Sequence, residues 1–202
     1  MKVIRWALVL VLAIALAIGG LLWFVRQRGF SARDEPTAIE RGVARAVRDF
    51  AIPAKTRSLR NPVSAAPDVL ARAKAHFADH CASCHGNDGR GDTPMGRNLY
   101  PKAPDMTAEA TQSLSDGALF AIITNGVRLT GMPAWGDRSE ESNRQTWELV
   151  QFIRHLPHMS DEEVEEMKGL NPRSREEWEA MVAEETFLSG GPAPPAKHGI
   201  SH

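Results

Sequence analysis

The residues best suited to chemistry are Cys81 and Cys84, the only two cysteines among 202 residues, with His85 directly behind them. Cys81-Ala82-Ser83-Cys84-His85 has the form C-x-x-C-H, in which two thiols one helical turn apart add to the two vinyl groups of a haem. The next residue's imidazole is then set against the iron. A zinc site would need two more Cys or His ligands at matching spacing, and only His76 and His80, on the same predicted helix, could be offered. A thiol-disulfide redox pair normally sits between a strand and a helix, whereas the flanks here read as helix and glycine loop. Covalent haem is the favoured reading, and a disulfide framework is excluded.

An iron held on one face by His85 needs a second axial ligand if it is to move electrons without binding small molecules, and a His/Met pair supplies a six-coordinate iron of raised potential. Met95 lies ten residues from His85 in a polar glycine loop, too near to wrap round to the opposite face. Met106 follows Pro104-Asp105 and reads as core packing. Met132 comes 47 residues on, with Gly131 permitting close backbone approach and Pro133 stiffening the turn. Met132 is therefore the expected ligand, and filling a hydrophobic gap is the other use of such a side chain.

These residues need a scaffold. Val69 to Phe77 reads as a helix running into the cysteines, and residues 86–113, rich in glycine and proline, read as a long irregular loop of the kind that binds something. A helix is expected from Leu114 to Thr124, starting near Ser113 or Ser115 and stopping at Asn125-Gly126. Another is expected from Arg144 to Leu156, ended by Pro157. Large aliphatic side chains are few in this stretch, and a buried macrocycle would fill the thin core. Beyond Ser160, Asp161 to Lys168 and Ser174 to Phe187 read as acidic helices, each opened by a capping box, with a Gly/Pro-rich tail after them that reads as disordered. The tail histidines His198 and His202 read as incidental rather than as metal ligands.

Twenty-four basic and 25 acidic residues leave a net charge of −1, and 43% of the chain is hydrophobic, which excludes wholesale disorder and a polytopic membrane protein. The charge is graded. Residues 26–60 hold nine basic against four acidic side chains, and residues 161–189 hold three against ten. No patch resembles a nucleic-acid surface. Trp6 to Val25 carries no charge and is long enough to cross a bilayer, with Trp6 and Trp23 near its ends and Lys2, Arg5, Arg26 and Arg28 flanking it. A single-pass anchor is expected over 1–28. A cleaved signal is the competing reading, since Ala13-Ile-Ala15 and Ala15-Leu-Ala17 have the small-x-small form. Pro36 to Phe50 reads as an amphipathic helix, either packed on the globular domain or lying along lipid headgroups with Arg41, Arg45 and Arg48 snorkelling. Residues 55–67 read as a linker or an extended wrap.

Taken in order, Cys81-Ala-Ser-Cys-His-Gly86, Pro104-Asp-Met106, Asn125-Gly-Val127, Thr130-Gly-Met-Pro-Ala-Trp135 and the Trp147 to Leu156 helix resemble a single-haem class I c-type cytochrome, of the kind anchored to bacterial cytoplasmic membranes. The resemblance covers about residues 66–157. It implies an all-α class I cytochrome c fold over 66–160 around one covalent haem c. An amphipathic helix and linker (29–65) would precede it, and a helical extension (161–188) and tail (189–202) would follow. It also implies thioethers at Cys81 and Cys84, His85 as proximal and Met132 as distal iron ligand, and Pro104 as the carbonyl that accepts the His85 ring N–H. Arg97, Tyr100, Lys102 and Arg128 are candidates to neutralise haem propionates. Attachment of haem in this family takes place outside the cytoplasm. That places residues 26–202 in the periplasm, although a bare count of arginines after the anchor would place them inside. The implied protein is an electron carrier with no catalytic residue and no small-molecule substrate, either a tethered shuttle between respiratory-chain partners or a fixed subunit of a dehydrogenase or oxidase.

Overall fold

Among residues 2–29 and 31–191, which the computed structural model describes, every regular element is helical. The first, α1 (Lys2–Arg28), is unbroken. Its apolar side chains stand outward, Trp6 at 73% and Leu22 at 64% exposure, a surface suited to hydrocarbon rather than water. Helix α2 (Ala38–Ala51) opens with a capping box between Thr37 and Glu40 and ends where Ile52 turns extended ahead of Pro53. None of its residues is buried.

The 55–67 segment is more ordered than a linker. It begins in a short helix, α3 (Ala54–Arg57), that packs on α7 (Asp116–Asn125). From there it wraps along α8 (Glu140–His155), where Asn61 Nδ2 donates to the Trp147 carbonyl at 2.8 Å and Gln151 donates to the Val63 carbonyl. Its order comes from tertiary contacts that no local period announces.

The core is built where α4 (Pro67–His80) crosses α8, with α7 laid against the other side of α8. Pro67 starts α4 at a position where its missing N–H costs nothing. Val69, Ala73 and Phe77 then recur at helical spacing and are all buried. Ala73 and Ala78, exposed by 1% and 0%, let α8 come close, and the Phe77 and Phe152 rings meet at 5.1 Å between centroids. Phe120 of α7 stacks on Trp147 at 4.2 Å. α8 starts at Glu140, four residues before the expected Arg144, because the Ser139 hydroxyl accepts the Ser142 N–H at 3.0 Å and Glu140 and Glu141 suit the positive end of the helix.

Residues 86–113 also hold more structure than a bare loop, with a 3₁₀ turn at Gly96–Asn98 and a helical turn, α6 (Glu109–Gln112). Ser160 and Ser174 both form the expected capping boxes, opening α9 (Asp161–Lys168) and α10 (Arg175–Leu188). α9 is joined to the core by Met167, which is fully buried, whereas α10 buries nothing. Most of the tail expected to be disordered, including His198 and His202, lies outside the described residues.

Candidate haem-binding site

Cys81 ends α4, and the chain turns at once into a single helical turn, α5 (Ala82–His85). The Cys81 carbonyl accepts N–H bonds from Cys84 at 3.2 Å and His85 at 2.9 Å. Positions 81, 84 and 85 are therefore i, i+3 and i+4 of one turn and share a face. Thr93 clamps this turn from outside. Its hydroxyl reaches the Ser83 and Cys84 carbonyls at 2.9 and 3.1 Å and accepts the Gly96 N–H at 2.8 Å. Gly96 has to be glycine, since a Cβ there would fall 2.2 Å from the Cys84 carbonyl oxygen and 2.5 Å from that of Gly91.

The loop returns Pro104 to the same place. Gly91 N–H donates to the His85 carbonyl at 2.7 Å, and a Cβ on Gly91 would lie 3.1 Å from the Pro104 carbonyl oxygen. Burial pushes the His85 ring below the ordinary histidine value, and the Pro104 carbonyl partly restores it. No acceptor closes a hydrogen bond of good geometry on Nδ1, which is buried without a partner. A neutral, half-buried imidazole with its Nδ1 beside a carbonyl acceptor is the state a metal-binding histidine requires. Burial, reinforced by the neighbouring Cys84, pushes the Cys81 thiol up to about 12, the opposite of what a thiolate metal ligand or an exchange nucleophile needs. Among the described residues no three His, Cys, Asp or Glu side chains gather as a metal cage.

Met132 lies on a loop that folds back on this region. Its carbonyl accepts the Val127 N–H at 3.1 Å, its N–H donates to the Thr130 hydroxyl at 3.1 Å, and the Trp135 N–H donates to the Ile123 carbonyl at 3.1 Å. Gly131 is pressed on Leu99, where a Cβ would meet a methyl at 2.6 Å. Trp135 meets the His80 ring edge-on at 5.4 Å, one residue before Cys81. The Met132 loop thus borders both the C-x-x-C-H turn and the Leu99 loop.

Residues 68–153 match the family model described as cytochrome c oxidase, cbb3-type, subunit III. This domain is a class I c-type cytochrome. It carries out haem-based electron transfer, and the residues present fit the group: paired thiols on one turn, a neutral histidine whose buried Nδ1 lies beside the Pro104 carbonyl, and glycines packed where side chains would not fit.

The other candidates in the cytochrome domain are partly engaged elsewhere. Met95 is 55% exposed and Met106 is buried in the main core. Arg97 pairs with Asp92 at 2.6 Å, and Lys102 pairs with Glu35. His80 pairs with Asp79 at 3.1 Å and meets His76 edge-on at 4.9 Å. With Trp135, Asp137, Glu141 and Leu149 these histidines line a cleft of about 350 Å³. It lies on the α4 and α8 side and does not include Cys84, His85 or Met132.

Some supporting residues gave no signal in the sequence. Asn171 donates to the Ala78 carbonyl at 2.9 Å and exchanges amide hydrogen bonds with Asn87, joining the chain after α9 to the loop after His85. Thr93 is the other such residue.

Proposed function

We propose that the protein is an electron carrier tethered to the bacterial cytoplasmic membrane by α1, with its cytochrome domain on the periplasmic side and one haem c joined to Cys81 and Cys84. When bound, the haem supplies a one-electron couple at its iron. His85 is the proximal ligand in this reading. Its ring is neutral, and an N–H on Nδ1 directed at the Pro104 carbonyl leaves the Nε2 lone pair for the metal. Met132 would supply its thioether as the second ligand to the iron, carried by a loop that its own backbone hydrogen bonds hold in shape. The haem edge is expected beside Ser83 and the Met132 loop, where partners would exchange electrons.

The observation that carries the reading is the single turn that sets Cys81, Cys84 and His85 on one face, with the buried His85 Nδ1 left without a partner next to Pro104. The test is a pyridine haemochrome spectrum of the detergent-extracted, intact-mass-verified protein. One haem per chain that resists acid-acetone is expected. Extractable or absent pigment would refute covalent attachment. Met132→Ala should remove the methionine-to-iron absorption band and let carbon monoxide bind the reduced protein rapidly, and an unchanged band would exclude Met132.

The family model's description favours a second reading, in which the chain is a fixed haem subunit of a respiratory oxidase or dehydrogenase. The acidic, unburied α10 would then serve as docking surface. Stoichiometric co-purification of a membrane complex in mild detergent supports this arrangement, and recovery of the chain alone supports the shuttle.

A further inference from the structure

Helix α2 has an apolar stripe that the cytochrome domain does not cover. Ile39, Val43, Val47 and Phe50 recur at i, i+4, i+8 and i+11, one face of a helix, and are exposed by 78, 58, 60 and 90%. Arg41, Arg45 and Arg48 take the other face. The helix is not a loose segment waiting for a place in the core, because both of its ends are already docked. Before it, Glu35 pairs with Lys102 of the cytochrome domain, and after it Ile52 is buried with Ala118 and Ala121 of α7. The stripe stays outward while its flanks are held.

Two further observations say what covers it. Only residues 29–37 separate α2 from the end of α1, and even fully extended, at about 3.5 Å per residue, they reach no more than about 35 Å. The region is also basic, with nine Lys and Arg against four Asp and Glu between residues 26 and 60. α10 is the contrast. It too exposes apolar side chains, Trp178 and Leu188 among them, but with one arginine and five glutamates it would be repelled by the same anionic lipid.

We propose that α2 lies in the headgroup layer of the membrane that α1 crosses, with Ile39, Val43, Val47 and Phe50 immersed and the arginines turned toward phosphate and water. It is a second membrane contact that fixes how the cytochrome domain stands over the bilayer, since Lys102 and Ile52 tie the helix to that domain on both sides. The proposal rests on the reading of α1 as an anchor.

The experiment uses the full-length, haem-loaded protein in vesicles of phosphatidylethanolamine and phosphatidylglycerol, with the unsubstituted protein as labelling blank. A nitroxide is placed in turn at Ile14→Cys in α1 and at Val43→Cys, Arg45→Cys and Val47→Cys in α2, and collisions with lipid-dissolved oxygen and with an aqueous nickel chelate are read by spin resonance. The oxygen-to-nickel ratio should be several-fold higher at positions 43 and 47 than at 45, and high at 14. If 43 and 47 meet nickel as readily as 45 while 14 stays in lipid, the placement of α2 is wrong and the anchor stands. Should 14 itself meet nickel, the anchor reading fails first and this one with it. Labels at 43 and 47 shielded from both relaxants, or dipolar-broadened between chains, would show a protein partner or a second copy on the stripe and overturn the lipid assignment.

Discussion

A carboxylate buried between two helices needs cations, and Glu148 has two. Its side chain is 5% exposed, Arg72 of α4 meets it at 2.9 Å, and Arg144 of α8 reaches it from one turn away. Both arginines are nearly half exposed, so each can turn to water when its partner is lost, but Glu148 cannot. The arginines are therefore redundant singly and indispensable together. Arg72→Ala or Arg144→Ala alone should lower the urea midpoint only slightly. The pair together should exceed the sum of the singles by about 0.5–3 kcal/mol, because only then is a buried charge left uncompensated. Urea unfolding of the haem-loaded variants measures this, and strict additivity would show that Glu148 finds another partner. The apolar counterpart is Phe152, with no exposed surface and Phe77 against it. Phe152→Ala should lose about 3–5 kcal/mol by the same measurement.

At the scale of elements, α9 is attached to the domain by a short set of contacts. Met167 is fully buried, Lys74 meets Glu166 at 3.2 Å, and Glu163 both closes the capping box on the Ser160 N–H and meets His155 at 3.2 Å. The Ser160 N–H first, and His155 second, hold the Glu163 carboxyl below its ordinary value of 4.5. A lowered carboxylate binds fewer protons folded than unfolded. Its contribution is complete above about pH 4.5 and disappears as pH falls through the lower folded value. Protection factors of the α9 amides, exchange rates divided by the intrinsic rate at each pH, should therefore fall on acidification below pH 4.5, while in Glu163→Gln they should be lower at neutral pH with less further response to acid. A wild-type pH response retained in Glu163→Gln would place the linkage elsewhere. Met167→Ala should release α9 at all pH values, at a cost of about 2–5 kcal/mol.

The elements differ in how far the chain announces them. α9 and α10 begin where the capping boxes of Ser160 and Ser174 say they should, and α7 at Ser115, one of its two expected caps, because caps act locally; α4 starts two residues before the expected Val69, at Pro67, which reads in the sequence as the end of the linker. The start of α8 is harder to read, since its apolar period begins only at Trp147 and the residues before it are polar, with none buried ahead of Thr146. α3 has four residues and no period, and exists by its contact with α7. α9 reads as surface from its acids, and one methionine joins it to the core. Within the site, the C-x-x-C-H turn is written in adjacent residues, whereas Thr93 and Asn171 bond to backbone carbonyls whose approach only the finished fold decides.

At the scale of the whole molecule, the two ends carry opposite charge on either side of a nearly neutral cytochrome domain. Ten acidic and three basic residues lie between 161 and 189, and α10, which holds five of the acids, buries nothing. Charge in that position contributes little to folding and projects a field into solvent. With a Debye length of about 10 Å at 0.1 M salt, the field guides a cationic partner only at low ionic strength. Electron transfer from the reduced protein to a strongly basic redox protein should therefore be fast in low salt and fall steeply as salt is added, whereas transfer to an anionic oxidant should rise or stay level. Replacing Glu176, Glu177, Glu179, Glu184 and Glu185 by glutamine should flatten the salt slope for the basic partner. The cytochrome core should unfold at the same urea concentration, because none of the five is buried in it. Stopped-flow rates across a salt series decide the matter. A slope unchanged by the five substitutions would move the partner's landing site away from α10, toward the surface around Ser83 and the Met132 loop.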